Sequence, residues 1–277
     1  MVNSCRPASL QEALEIKNRI DAVPYAGGTD LMVENRKGVS YLFLNGLEEL
    51  KQIREEEGHI SIGSCVTFTQ ALESDLIHPL MKEAVSRIAA PAIRNTGTFG
   101  GNIGNGSAKA DSVLILYVCG AKLRLASMEG ERIIDIDHFY KGRKKLDLRP
   151  EELIVEILVP KKGLDNYYYK KVGGRNALAI SRVSFAGLIS IEDGRVENLA
   201  AAFGAVSDTV LRFRDLEAMI TGKTIEEAKS VKESFLAAYE ERMILTRGRV
   251  SAEYRKTVCM NLLKDFLEEK GEIFKRL

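Results

Sequence analysis

Two glycine-rich segments carry residue types and spacings suited to holding a phosphorylated ligand. The first is Pro24-Tyr25-Ala26-Gly27-Gly28-Thr29-Asp30-Leu31. Glycines open backbone conformations closed to other residues and let the chain approach a ligand closely. Several consecutive amides can then point at one phosphate and form an anion-binding nest, with the Thr29 hydroxyl beside them. The same residues also suit a plain tight turn from a helix into a strand. The second segment runs from Arg94 to Asp111, with five glycines between Gly97 and Gly106. In regular structure each glycine costs roughly 0.5–1 kcal/mol relative to alanine, and a bound ligand is the natural compensation. Asp111 precedes an apolar run, Ser112 to Cys119, that reads as a buried helix closed by Gly120. Asp111 is therefore a candidate N-cap and a candidate ligand contact, and the two roles are compatible.

Other chemistries find little support. Neither glycine segment holds G-x-G-x-x-G in register, and Gly222-Lys223-Thr224 lacks the upstream glycine of a P-loop. Cys5, Cys65, Cys119 and Cys259 form no CxxC pair, and His59, His78 and His138 show no ligand spacing, so no metal or iron–sulfur site is expected in this chain. The same scarcity argues against a nucleophilic triad. Forty basic and thirty-nine acidic residues give a formal charge of +1 without long blocks of one sign, which leaves no footprint for nucleic acid. The longest apolar runs, such as Val113 to Gly120 and Leu199 to Val206, fall well short of the roughly 20 residues that cross a bilayer. No membrane span and no secretory signal are read from the sequence, and a cytoplasmic location is expected.

The elements that must position these segments are legible as an α+β pattern. Ser9 with Glu12 marks a helix over about 10–20, ending before Pro24. Strands are expected at Tyr41–Leu44, Ile60–Gly63, Lys122–Leu125 and Ile154–Val159, with helices near 67–73 and 79–89. Beyond about 165, strands at Tyr167–Val172, Val183–Ile191 and Val196–Phe203 form an antiparallel meander, the last two joined by a turn at Glu192-Asp193-Gly194. Thr224 with Glu227 opens a helix to about 240, and Ser251 caps a final helix. A boundary between subdomains is expected near 160–166.

Ala26-Gly27-Gly28-Thr29-Asp30-Leu31, followed some seventy residues later by Thr98-Phe99-Gly100-Gly101-Asn102 and Ser107-x-x-Ala110-Asp111, resembles the FAD-binding subunit of the xanthine dehydrogenase and aerobic carbon monoxide dehydrogenase (molybdenum hydroxylase) family. The likeness extends over nearly the whole chain. Pro7-x-Ser9-Leu10-x-Glu12-Ala13-Leu14, Phe139-Tyr140-x-Gly142, Leu153-Ile154 to Ile157-x-Val159-Pro160, Lys170-Lys171 with Arg175, and Ser251-x-x-Tyr254-Arg255 all match its pattern. The resemblance implies a PCMH-type FAD-binding fold of two α/β lobes over 1–162, a small lobe of about 1–55 and a larger one of about 56–162. A C-terminal α+β domain of antiparallel sheet and helices would fill 163–277.

Carried onto this sequence, the resemblance implies that Ala26, Gly27, Gly28, Thr29, Asp30 and Leu31 hold the FAD pyrophosphate through backbone amides. It places Thr98, Gly101, Asn102 and Asn105 on the cofactor from a second loop, and Asp111 on its adenosine portion. Leu153 or Ile154 would pack on the flavin side, and Lys171 would stand near the ring as the catalytic cation, where positive charge favours reduced flavin. Apart from the resemblance, Lys171 reads as a solvated strand lysine. The scarcity of His and Cys argues against a covalent flavin link. The resemblance also implies partners: a molybdopterin-binding large subunit that oxidises substrate, and a small subunit whose [2Fe–2S] clusters relay electrons to FAD. Clusters on another polypeptide agree with the lack of cysteine motifs here.

Three positions depart from the family pattern: Phe99 for a smaller aliphatic residue, Ala108 for a common proline, and Ala179 for a frequent acid. The last leaves NAD only a candidate electron acceptor. The alternatives are a stand-alone flavin reductase of the same fold, which needs a proton donor, and a non-catalytic nucleotide-binding adaptor.

Overall fold

The computed structural model describes residues 4–34, 37–248 and 250–271. The chain divides into two compact units, residues 1–107 with 120–160, and residues 108–119 with 161–277.

In the first unit, the helix Leu10–Arg19 starts where Ser9 Oγ accepts from the Glu12 amide. The Glu12 carboxylate accepts from the Ala8 amide at 2.7 Å, so the reciprocal bond lands one residue before the cap. Strands Val23–Tyr25 and Tyr41–Phe43 pair in parallel, and Ala13, Leu14, Leu42, Leu44, Leu47 and Leu50 form the core beneath them. A five-stranded antiparallel sheet follows, in the order Ile53–Glu56, His59–Gly63, Leu153–Pro160, Lys122–Ser127, Gly130–Asp135. Leu153–Pro160 lies at its centre and is buried along nearly its whole length, as its unbroken apolar run requires.

Further helices of this unit include Phe68–Glu73, Pro79–Ser86, Pro91–Arg94 and Phe99–Gly104. The helix expected near 79–89 stops at Ser86, and Ala89 turns away at φ 43°. The second glycine segment, expected as a loop, contains the short helix Phe99–Gly104, because Thr98 Oγ1 accepts from the Gly101 amide and caps it.

In the second unit, strands Tyr167–Val172, Val183–Glu192, Arg195–Gly204 and Leu211–Arg212 form an antiparallel sheet in chain order. The expected hairpin turn is present: Asp193 and Gly194 both have positive φ, 49° and 74°, the signature of a type I′ turn that matches strand twist. Helices Ile225–Ser230, Lys232–Arg242 and Ala252–Lys270 bury Phe235, Tyr239 and Phe266 against Phe185 and Phe203. The helix expected from 224 to about 240 is broken at Val231. Ser230 Oγ donates to the Glu227 carbonyl at 2.7 Å, the acceptor the Val231 amide would take in an unbroken helix. That amide turns to the Lys229 carbonyl instead.

The helix Asp111–Cys119 packs on the two long strands of this sheet and is buried at every position, which is why it is apolar all round. Arg212 donates to the Tyr117 carbonyl near its C-terminus while paired with Glu217 at 2.9 Å.

Candidate functional site

The first unit contains a cleft of about 370 Å³, within the range of small-molecule sites. Its wall includes Ala26, Gly27, Gly28, Thr29, Asp30 and Leu31 from one segment, Thr98, Gly101, Asn102 and Asn105 from the other, and Leu153 and Ile154 from the central strand. The chain thus gathers in one place every residue expected to touch a cofactor except Asp111 and Lys171.

The first segment leaves the strand Val23–Tyr25 and turns at Gly28, whose φ of 69° suits glycine. Among the described residues, no chain acceptor takes the backbone N–H groups from Ala26 to Leu31. A run of unclaimed amides on a cleft wall is a ready receptor for an anion. The second segment differs. The amides of Phe99 and Gly100 are bonded to the carbonyls of Val66 and Ser64, and that of Gly101 to Thr98 Oγ1. Its helix start is already satisfied, so this segment contributes side chains and close-packed backbone, not an anion nest.

The glycines divide the same way. A Cβ on Gly27 would lie 1.9 Å from the Thr96 carbonyl oxygen, and one on Gly100 would lie 2.5 Å from Ser64 Cβ. These two are required by contact of chain with chain. A Cβ on Gly104 would meet only Ile154 Cδ1, at 3.8 Å, and Gly104 lines the cleft. Its bareness leaves room for a ligand.

Side chains tie the walls together. Asn105 Nδ2 donates to Asp30 Oδ2 at 2.6 Å, joining the two glycine segments, and Lys144 pairs with Glu34 at 2.8 Å. Arg132 grips Glu152 through Nε at 2.6 Å and Nη2 at 2.9 Å. Burial opposes ionisation of Glu152, but the Arg132 guanidinium and the Arg149 amide outweigh it and hold the carboxyl below its ordinary range. Burial pushes the Cys65 thiol up to about 11, so it stays protonated and unreactive at neutral pH. Leu44, Ser64, Cys65, Phe68, Lys144 and Glu152 also line the cleft. Sequence reasoning missed them, although Leu44 and Ser64 sit at or beside the end of an expected strand.

Asp111 and Lys171 belong to the second unit, where they meet each other. Lys171 Nζ donates to Asp111 Oδ2 at 2.7 Å, and Ser181 Oγ donates to Asp111 Oδ1 at 2.8 Å. Two readings are corrected here. Asp111 is the first residue of its helix and not its N-cap, because its carboxylate is taken by Lys171 and Ser181. Lys171 is not a solvated strand lysine: its side chain is only 10% exposed and is held by a buried carboxylate.

A second cleft, of about 330 Å³, is lined in this unit by Lys109, Arg175, Arg182 and Arg255, with no acidic residue in its wall among the described residues. Arg255 is 2% exposed, donates to the carbonyls of Val206 and Thr246, and leaves its Nε without an acceptor among the described residues. Among those residues no helix is long and apolar enough to cross a membrane, and no His, Cys, Asp and Glu cluster is arranged to hold a metal.

Comparison with known proteins covers nearly the whole chain. Residues 1–162 match the family described as the FAD binding domain in molybdopterin dehydrogenase. Residues 167–270 match the CO dehydrogenase flavoprotein C-terminal domain. The chain is 30% identical over 278 residues to a xanthine dehydrogenase FAD-binding subunit of Escherichia coli, covering 95% of this chain and 94% of that protein. It is 28% identical to the nicotinate dehydrogenase FAD-subunit of Eubacterium barkeri, covering 93% and 92%. Among solved structures, a chain of the reconstituted CO dehydrogenase from Oligotropha carboxidovorans superposes with a TM-score of 0.88 at 25% identity, covering 99% of both chains. The α+β fold, the amide-lined cleft and these matches together place the chain in the family of FAD-binding oxidoreductase subunits of the xanthine dehydrogenase and carbon monoxide dehydrogenase type.

Proposed function

We propose that this chain is the electron-transfer subunit of a multi-subunit molybdenum hydroxylase. It takes electrons from [2Fe–2S] clusters on a small partner subunit and passes them to an external acceptor, while a molybdopterin-binding large subunit oxidises the organic substrate. The observation that carries this reading is the run of unclaimed amides from Ala26 to Leu31 on the cleft wall, a receptor for the FAD pyrophosphate. Bound there, FAD supplies a ring that exchanges electrons with one- and two-electron partners.

The chain's own residues bind and orient it. The first glycine segment grips the phosphates, Asn105 braced on Asp30 holds the two segments together, and Leu153 and Ile154 give the ring an apolar wall. The contacts expected of Asp111 and Lys171 rest on the resemblance alone. Their ion pair makes them one nearly neutral unit, so a cofactor contact at either residue would meet the pair and not an isolated charge.

The stand-alone reductase reading needs a proton donor at the cleft. Cys65, held near 11, and Glu152, held ionised by Arg132, are poor donors at neutral pH, which favours the electron-transfer reading. The cationic second cleft supports NAD as acceptor, since Lys109, Arg175 and Arg182 suit the phosphates of a nucleotide. The reading is tested on the purified single chain. It is expected to pass electrons from NADH to an artificial acceptor and to oxidise no substrate of the hydroxylase class. Molybdenum in the pure chain, or substrate oxidation by it alone, refutes the division of labour.

A further inference from the structure

The side chain of Ser64 has no place in the functions described so far. Ser64 follows the strand His59–Gly63, is 3% exposed and lines the cleft of the first unit. Its backbone is fully used: the amide donates to the Val155 carbonyl at 2.9 Å, and its carbonyl accepts from the Gly100 amide at 2.8 Å. These bonds fix the residue between the central strand and the glycine helix. Its hydroxyl, by contrast, is buried and reaches no backbone, carboxylate or amide partner among the described residues. The polar group beside it is the Cys65 thiol, a weak partner that itself donates to the Leu44 carbonyl at 3.6 Å.

A buried hydroxyl left unpaired costs stability and calls for an explanation. The contact that keeps Gly100 bare does not need the oxygen. Gly100 is bare because Ser64 Cβ already fills the space there, and an alanine would supply that same Cβ. What remains is the cleft itself, on whose wall Ser64 sits with Leu153 and Ile154.

We infer that the Ser64 hydroxyl hydrogen-bonds the bound FAD on the side lined by Leu153 and Ile154, and so helps set cofactor affinity and the flavin's electronic environment. The inference rests on the reading that FAD occupies this cleft. It predicts an asymmetry between the two states of the protein. With FAD absent the oxygen has only the weak thiol contact, so removing it costs little; with FAD bound, removing it breaks a stronger bond.

The test compares full-length wild type and Ser64→Ala in three measurements: FAD titration of the stripped protein, the visible spectrum after loading, and thermal melting without FAD. The variant is expected to bind FAD about 2- to 12-fold more weakly, the span of one neutral hydrogen bond. Its flavin bands are expected to shift, and its FAD-free melting temperature to equal or exceed that of wild type. Unchanged affinity and spectrum, in a wild type that does bind FAD, overturn the inference and leave the parent reading intact. A lower FAD-free melting temperature also overturns it, because the hydroxyl is then structural. Wild-type protein that takes up no FAD removes the parent reading itself.

Discussion

Gly104→Ala separates a glycine kept for a ligand from a glycine kept for packing. Gly104 is the last residue of the helix Phe99–Gly104, and an added Cβ would meet only Ile154 Cδ1 at 3.8 Å, an ordinary contact. Without FAD the methyl group therefore fits. Replacing a helical glycine by alanine contributes roughly 0.5–1 kcal/mol of stability. At about 2–4 °C per kcal/mol for a unit of this size, the FAD-free protein should melt about 1–4 °C higher than wild type. With FAD the same methyl group projects into the cleft. Overpacking a filled site costs about 1–3 kcal/mol, so FAD affinity should fall by about 5- to 150-fold. Differential scanning fluorimetry on stripped protein and fluorescence titration with FAD measure the two effects on one preparation. An unchanged dissociation constant, or a lower FAD-free melting temperature, would refute the reasoning that this bare position belongs to the cofactor.

Three further outcomes follow from the geometry. Gly27→Ala drives a Cβ into the Thr96 carbonyl and must displace the amide nest by about an ångström, enough to cost on the order of 100-fold in a positioned contact; FAD titration of the variant retaining wild-type affinity contradicts this. Asp111→Asn or Lys171→Met breaks a pair whose side chains are 5% and 10% exposed, and each should lose about 3–5 kcal/mol in urea unfolding. The double variant should recover much of that loss, and strictly additive losses argue against the pair. Glu152 ionises below its ordinary value of 4.5 in the folded chain, so its contribution is full above about pH 4.5 and is lost as pH falls through the lowered value. Glu152→Gln should therefore flatten the acid limb of the stability–pH curve, and an unchanged limb shows that Arg132 and Glu152 do not supply it.

The elements marked by local chemistry were legible in the sequence. Ser9, Thr224 and Ser251 each cap a helix where expected, and the Asp193-Gly194 turn sets the longest hairpin. These features depend on neighbours a few residues apart. The glycine helix was not legible, because its glycines oppose helix formation locally and only the Thr98 cap with the Val66 and Ser64 carbonyls makes it hold. The break at Val231 was hidden for a related reason: one serine hydroxyl decides which amide reaches the Glu227 carbonyl.

For the site, the glycine motifs named most of the cleft wall, since they are contiguous in sequence. Ser64, Phe68, Lys144 and Glu152 reach the same cleft from four separate places in the chain, and nothing local announces that convergence. The pairing of Lys171 with Asp111 spans 60 positions and turns a lysine read as solvated into half of a buried ion pair.

The most direct measurement of the central claim is the cofactor content of the purified chain. Protein reconstituted with FAD and desalted is denatured with acid, and the supernatant and pellet are assayed for flavin against protein concentration. The cleft of the first unit predicts about one flavin per chain, all of it in the supernatant and all of it FAD, with the Gly27→Ala protein carrying almost none. Flavin held in the pellet, released cofactor identified as FMN, or equal loading of the Gly27→Ala protein would contradict it.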